Sequence, residues 1–230
     1  MRKFCVLTVG RAGSTALMDH LARYSDVALP GKNIDCVDQE LVHPARIAAH
    51  AAAYAKLAAT AITTVDELID AFFAHNACAA YAGFKTMPNR HKVLDRFVSR
   101  PDIQFITLAR RDVASTVASF VVAMATDSWR RDGGPQTARW TFEPRRDAAG
   151  VAGNLRYVLK SAELLRRVPN AIALAYEDLC DPGFSDPGLD AFFGRRIRLD
   201  HPQPPTSGES YVVNWPEFRA FVDAEQKKLQ

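Results

Sequence analysis

Long apolar segments are scarce near the beginning of this sequence. The run that follows Arg2 and Lys3 covers only residues 4–9 before Arg11 interrupts it. This is too short for the hydrophobic region of a signal peptide and far too short for a membrane span. We therefore expect a soluble, cytoplasmic protein without a membrane span.

The cysteines also lack a recognisable pattern. Cys5, Cys36, Cys78 and Cys180 are widely scattered and form neither a CxxC pair nor a Cys/His spacing typical of zinc sites. The sequence thus indicates neither a disulfide framework nor a metal site. A reducing compartment suits such a chain, and we expect no metal cofactor.

Charge of one sign does not dominate either. Lys and Arg number 29 against 26 Asp and Glu, giving a net charge of +3. That excess is too small to predict nucleic-acid binding, so an anion site must be local. What is present is an ordinary globular composition, with 48% hydrophobic and 24% charged residues, in a chain of 230 residues. We expect one domain over 1–230.

Apolar runs that alternate with helical spacings organise the chain. The runs are β-branched or continuous and predict strands at 4–9, 81–86, 103–109 and 171–176. The helical spacings predict helices from Ser14 onward and at 45–59, 65–80, 113–125, 148–168 and about 189–193, and Thr64 with Glu67 predicts a cap at the start of the second of these alanine-rich helices, 65–80. The alternation predicts an α/β fold, with three α/β/α layers around a central parallel sheet. A Gly- and Pro-containing stretch at about 127–147 predicts an inserted lid segment instead of a core element.

The segment GRAGST at 10–15 stands where the first buried strand passes into a helix. Glycines let the backbone curl around a ligand, and the N–H groups and dipole of a helix N-terminus favour an anion. Arg11 adds a bidentate cation, and the hydroxyl groups add donors or cap the first turn. A simple glycine turn with a serine cap is the alternative. The residues of this predicted phosphate or sulfate site are Arg11, Ala12, Gly13, Ser14 and Thr15.

A second anion site is predicted after the strand 103–109. Arg111 closes that strand, and Ser115 and Ser119 share one face of the following helix, so one phosphate is expected to contact all three residues. Asp112 is expected to cap this helix, which leaves Arg111 free of that role. Because both sites directly follow strands, they fall on the same edge of a parallel sheet, and one ligand with two anionic groups would bridge them. Small packing serines beside a surface arginine are the alternative.

In order and spacing these motifs resemble the sulfotransferases that use PAPS (3′-phosphoadenosine 5′-phosphosulfate), especially the bacterial and Golgi-type carbohydrate branch. The family's RxGST-type loop for the 5′-phosphosulfate is matched at 11–15. Its arginine and the serine eight residues later, for the 3′-phosphate, are matched by Arg111 and Ser119. Residues 176–179 (YEDL) resemble the segment after the family's last core strand, whereas Val113 replaces a frequent proline. The resemblance implies a P-loop-like fold and sulfuryl transfer from PAPS to a hydroxyl or amine.

An acceptor hydroxyl must lose a proton, and the resemblance implies an acidic base after the first helix. Glu40 is the first candidate, with Asp38 and Asp35 as alternatives. Lys85, in the segment GFKTMP, resembles a lysine of cytosolic members, which is implied to stabilise the leaving group. Met87 occupies the position of a histidine in those members, and this argues against a histidine base there.

The chemistry that the resemblance implies needs little covalent help from a protein. By analogy with phosphoryl transfer, in-line sulfuryl transfer depends on positioning and on charge stabilisation. The predicted catalytic residues are therefore Glu40, Lys85 and Arg11, without a metal. Trp129 and Trp140 in the inserted segment suit a carbohydrate or glycolipid acceptor, or anchor the loop.

Two other functions remain open from the sequence. A small-molecule kinase of similar fold would need a GxxxxGK[ST] loop, and the segment 10–15 is shorter and lacks that lysine. A non-catalytic module that binds anions or oligosaccharides would need only the arginines, and its binding would fall steeply with salt.

Overall fold

A computed structural model describes the chain over residues 1–31, 39–43, 45–88, 99–126, 139–197 and 207–229. Asp35, Asp38 and residues 127–138 of the predicted inserted segment lie outside these ranges. No helix in the described ranges combines the length and apolar character that crossing a bilayer requires.

Five strands form one parallel sheet in the order β2-β3-β1-β4-β5. This arrangement confirms the predicted α/β class with a central parallel sheet and is consistent with three layers. Three predicted strands match closely, the fourth is shorter, and the two-residue strand β2 was not predicted. The bounds are β1 (Arg2–Thr8), β2 (Val27–Ala28), β3 (Tyr81–Thr86), β4 (Ile103–Ala109) and β5 (Ile172–Ala175).

Helices follow most strands. Those in the described ranges are α1 (Ser14–Leu21), α2 (Ile47–Ala58), α3 (Val65–His75), α4 (Val113–Thr126), α5 (Pro144–Arg166), α6 (Tyr176–Leu179), α7 (Pro187–Phe193) and α8 (Trp215–Leu229), with a 3₁₀ helix at Gly208–Ser210.

Two helix boundaries correct the sequence analysis. Residues 144–147 belong to α5 and not to the inserted segment, because Pro144 stands in the first turn, where proline is well tolerated. Tyr176 begins α6 instead of ending a strand. The helix α8 was not predicted at all.

The central strand β1 is covered on both faces. Its residues Phe4–Thr8 alternate in direction, as in any strand, yet all are at most 3% exposed. On one side Val6 pairs with Lys85 of β3, and on the other it pairs with Ile106 of β4. Burial on both faces explains why this segment reads as a continuous apolar run instead of an alternating one.

The direction of the chain connections reverses between β1 and β4, which are neighbours in the sheet. From β1 the chain continues toward β2 on one side of the sheet, whereas from β4 it continues toward β5 on the other. Loops that leave neighbouring strands in opposite directions create the position at which α/β proteins usually bind ligands. The segments 9–15 and 110–119 follow β1 and β4 at this position.

Trp140 anchors its segment to the C-terminal part of the chain. Its backbone N–H donates to the Tyr211 carbonyl (2.8 Å), and its carbonyl accepts from Val213 N–H (2.9 Å). Its ring lies 6.0 Å from the Phe142 ring and 6.1 Å from the Phe218 ring, centroid to centroid. Of the two roles suggested by the sequence, these contacts favour the anchor over a face of a lid.

Candidate functional site

The first loop adopts an unusual backbone. Arg11 and Gly13 have φ angles of 66° and 80°, both in the left-handed region that residues other than glycine rarely adopt. Gly13 is the N-cap of α1, and no side chain among the described residues caps this helix. The predicted cap by Ser14 or Thr15 is therefore wrong. The first turn instead presents its N–H groups without a capping oxygen, as an anion-binding helix start requires.

Two aromatic rings confine the same loop. A Cβ at Gly13 would lie 2.2 Å from Cδ2 of Tyr176, and a Cβ at Gly10 would lie 2.5 Å from Cζ of Phe120. Both positions thus require glycine because of close packing, and Gly13 requires it also because of its φ angle. The loop is held from one side by α6 and from the other by α4.

A direct hydrogen bond joins the two predicted anion sites. Nε of Arg11 donates to Oγ of Ser119 at 2.9 Å, across 108 positions of sequence. Ser119 lies on α4 and is half-buried. The two loops therefore meet at one edge of the sheet, which is the arrangement that a ligand with two anionic groups needs.

A second cation reaches the first loop from β3. Nζ of Lys85 donates to Oγ1 of Thr15 at 3.0 Å, and the lysine is only 9% exposed. The backbone N–H of Lys85 donates to the Gln39 carbonyl at 3.0 Å. That bond brings the neighbouring Glu40 to the same edge, where it is half-buried with its Oε1 atom enclosed. Lys85, Thr15 and the candidate base are thus collected around the ends of β1 and β3.

Arg111 has partners that the sequence analysis did not foresee. Its Nη2 donates to Oδ2 of Asp178 at 2.5 Å, and its backbone N–H donates to the Glu177 carboxylate at 3.1 Å. The bond and charge of Asp178 raise the pKa of Arg111 above its ordinary value. Asp112 caps α4, as predicted, so Arg111 is free of that role but pairs with Asp178. The described residues show no hydrogen bond between Arg111 and Ser119, although the arginine side chain remains 64% exposed.

Ser115 has a structural role. It is fully buried. Its Oγ donates to Oδ2 of Asp112 (2.7 Å) and accepts from Gly208 N–H (3.0 Å). It therefore does not face a ligand, which corrects the prediction that one phosphate contacts both serines of α4. The predicted cap is confirmed, since Oδ1 of Asp112 accepts from Ser115 N–H at 3.1 Å.

Sequence reasoning missed Arg110 and the individual roles within α6. The Arg110 side chain is 4% exposed, lies 5.1 Å above the Tyr176 ring and places Nε 3.7 Å from Oε1 of Glu177. Glu177 also accepts from Asp112 N–H at 3.2 Å. The helix α6 therefore fastens the loop after β4. The only advance signal was the resemblance of residues 176–179 to YEDL, which carried no physical reason for each residue.

The donor set at this edge suits an anionic ligand. It offers two cations, Arg11 and Lys85, the hydroxyls of Thr15 and Ser119, and the N–H groups of the first turn of α1. Such groups bind tetrahedral oxyanions through charge-assisted hydrogen bonds. The described residues contain no group of three or more His, Cys, Asp or Glu arranged to hold a metal ion.

Comparisons of the sequence with models of known protein families and with curated proteins find no match. The interpretation of the site therefore depends on its own geometry and on the resemblance of the short motifs.

Proposed function

We propose that this protein is a sulfotransferase of P-loop-like fold that moves a sulfuryl group from PAPS to a hydroxyl or amine, with a carbohydrate or glycolipid as the first acceptor class to test. The observation that carries the proposal is the 2.9 Å contact between Arg11 and Ser119. It brings together two loops that each carry a cation and hydroxyl donors, at the carboxyl ends of the neighbouring strands where the chain connections reverse direction.

The two loops divide the binding of the donor between them. Arg11, Ser14 and Thr15, with the N–H groups of the first turn of α1, bind the 5′-phosphosulfate. Ser119 and Arg111 bind the 3′-phosphate. PAPS supplies the activated sulfuryl group, and PAP, its 3′,5′-bisphosphate, is the leaving product. Because packing at Gly10 and Gly13 fixes the backbone of the first loop before the ligand arrives, the N–H groups of this loop stabilise charge with little reorganisation.

Lys85 and Glu40 serve the transfer itself. Lys85 is nearly buried and already touches Thr15, so its ammonium group stays close to the position of the bridging oxygen and stabilises the charge that develops there. Glu40 accepts the proton of the acceptor hydroxyl. A positioned base of this kind contributes about 10² to 10⁴ in rate.

Radiolabelled PAPS, incubated with a panel of sugars, glycolipids, phenols and amines, tests the proposal. We expect one acceptor class to become labelled, with Glu40→Gln lowering kcat by about 10²-fold or more while the Kd for PAP stays unchanged. Glu163→Gln, which removes an exposed ion pair with Arg167 on α5, is the matched control and should retain full activity.

The outcomes of the same assay separate the proposal from its alternatives. Labelling of no acceptor, together with magnesium-dependent transfer from ATP, would contradict a sulfotransferase and indicate a kinase. Binding of polyanions that falls steeply with salt, without any response to PAP, would indicate a non-catalytic module.

A further inference from the structure

Three consecutive residues of α6 each hold a different part of the candidate site. The Tyr176 ring fills the space beside Gly13, the Glu177 carboxylate accepts backbone N–H groups of the loop after β4, and Asp178 pairs with the Arg111 guanidinium. The first two contacts fix backbone. The third involves the side chain that the proposed function assigns to the 3′-phosphate.

We propose that Asp178 competes with the nucleotide 3′-phosphate for Arg111 and thereby weakens the binding of nucleotides that carry this phosphate, while leaving the binding of nucleotides without it unaffected. This inference rests on the proposed function. Asp178 acts here as an internal stand-in for an anionic ligand, and the pair must open for the donor to bind fully.

The exposure of the pair allows this exchange. The side chains of Arg111 and Asp178 are 64% and 36% exposed, so a ligand can reach both. An exposed ion pair changes an equilibrium by less than about fivefold, because solvent screens the charges. A phosphate monoester has about −1.5 to −2 charges and three acceptor oxygens, so it offers the guanidinium more than one carboxylate does.

The backbone at Arg111 is held by Glu177, so only the Arg111 side chain has to move when it exchanges Asp178 for the phosphate. Glu177 accepts from the N–H groups of Arg111 and Asp112 at 3.1 and 3.2 Å, and it is mostly buried. The start of the loop therefore stays in place while the Arg111 side chain changes partner. A nucleotide without a 3′-phosphate, such as AMP, gives Arg111 no new partner and leaves the ion pair closed.

Titration calorimetry with PAP and with AMP tests this competition. We expect Asp178→Asn to tighten PAP binding about threefold, because the competitor is lost, and to leave AMP binding unchanged. In an Arg111→Ala background the same substitution should change neither affinity. Asp178→Ser serves as a second variant, and Asp223→Asn, from an exposed Arg–Asp pair on α8, is the matched control that should alter neither Kd.

Each other outcome overturns the inference in a distinguishable way. Weaker PAP binding by both Asp178 variants would show that Asp178 positions Arg111 and does not compete for it. If Asp178→Asn tightens PAP binding even in the Arg111→Ala background, the Asp178 carboxylate repels the phosphate directly and does not compete for Arg111. If the unaltered protein binds PAP no better than AMP, the assignment of the 3′-phosphate site fails, and if it binds neither, the proposed function fails with it.

Discussion

Gly13 is constrained both by its backbone conformation and by close packing. Its φ angle is 80°, and an added Cβ would lie 2.2 Å from the Tyr176 ring. We expect Gly13→Ala to lower the free energy of unfolding by about 2 kcal/mol, through left-handed strain and overpacking, and to weaken PAP binding. Urea denaturation and calorimetry measure the two effects.

The matched control for this substitution is Gly150→Ala in α5. A Cβ at Gly150 would meet nothing within 4 Å, so alanine should raise the free energy of unfolding by about 0.5–1 kcal/mol. If the Gly13 variant is as stable as the unaltered protein, the loop does not have the tight packing described above.

At the scale of residues, the sequence predicted which side chains share an edge but not which of them pair. Arg11 lies in the loop after β1, and Ser119 lies in the helix after β4. A parallel sheet alone therefore brings them to one edge. The Arg111–Asp178 pair depends on a side chain 67 positions away. The burial of Ser115 likewise depends on Gly208, in a part of the chain for which no element was predicted.

Helix starts differ between the structural and the candidate functional elements. Thr64 and Glu67 form a full capping box at the start of α3, as the sequence predicted, whereas α1 begins at Gly13 without a side-chain cap. The sequence pattern suggested a cap in both cases. Only the structure shows that the hydroxyls of the first loop are not used for capping.

This contrast predicts that one substitution affects stability and the other affects ligand binding. Thr64→Ala should lower the free energy of unfolding by about 1 kcal/mol, because it removes the oxygen that accepts from Glu67 N–H. Ser14→Ala should change it by less than about 0.5 kcal/mol but should weaken PAP binding. Urea denaturation with and without PAP measures both. A large loss of stability from Ser14→Ala would mean that this hydroxyl has a structural role.

Periodicity predicted the helices that pack on the sheet better than those at its periphery. The apolar spacings of α3 and α4 are regular, and both starts were predicted correctly, although the predicted helix 65–80 extends beyond the end of α3 at His75. The helix α8 was missed although Trp215, Phe218 and Val222 form a buried stripe at helical spacing. Its mixture of charged residues concealed that stripe.

At the scale of the whole molecule, the edge of the sheet opposite the candidate site carries a network of ion pairs between acidic and basic side chains. A cavity of about 620 Å³ lies there, lined partly by Lys3, Arg100 and Asp102. Lys3 donates to Asp102 at 2.6 Å, and Arg100 pairs with Asp102 at 3.3 Å and with Asp70 of α3 at 2.7 Å. This network ties β1, α3 and the start of β4 together.

The network predicts a pH dependence of stability. Partial burial acts to raise the pKa of Asp102, but hydrogen bonds from Lys3 and Arg100 outweigh it and lower the pKa to about 2 from 3.8. Because the folded pKa is the lower one, the stabilisation is present above pH 3.8 and is lost as the pH falls to about 2. The difference in unfolding free energy between the protein and Asp102→Asn should therefore shrink over this interval in urea titrations. A constant difference would contradict the network.

The central claim is that the loops after β1 and β4 jointly bind one nucleotide, and thermal unfolding with PAP tests it most directly. At 100 times its Kd a ligand adds about 2.7 kcal/mol, so Tm should rise by roughly 5–10 °C. Arg11→Ala and Ser119→Ala should each reduce this rise, whereas Arg156→Ala on the outside of α5 should not. An unchanged Tm at saturating PAP, or a rise that both site variants retain in full, would contradict the account.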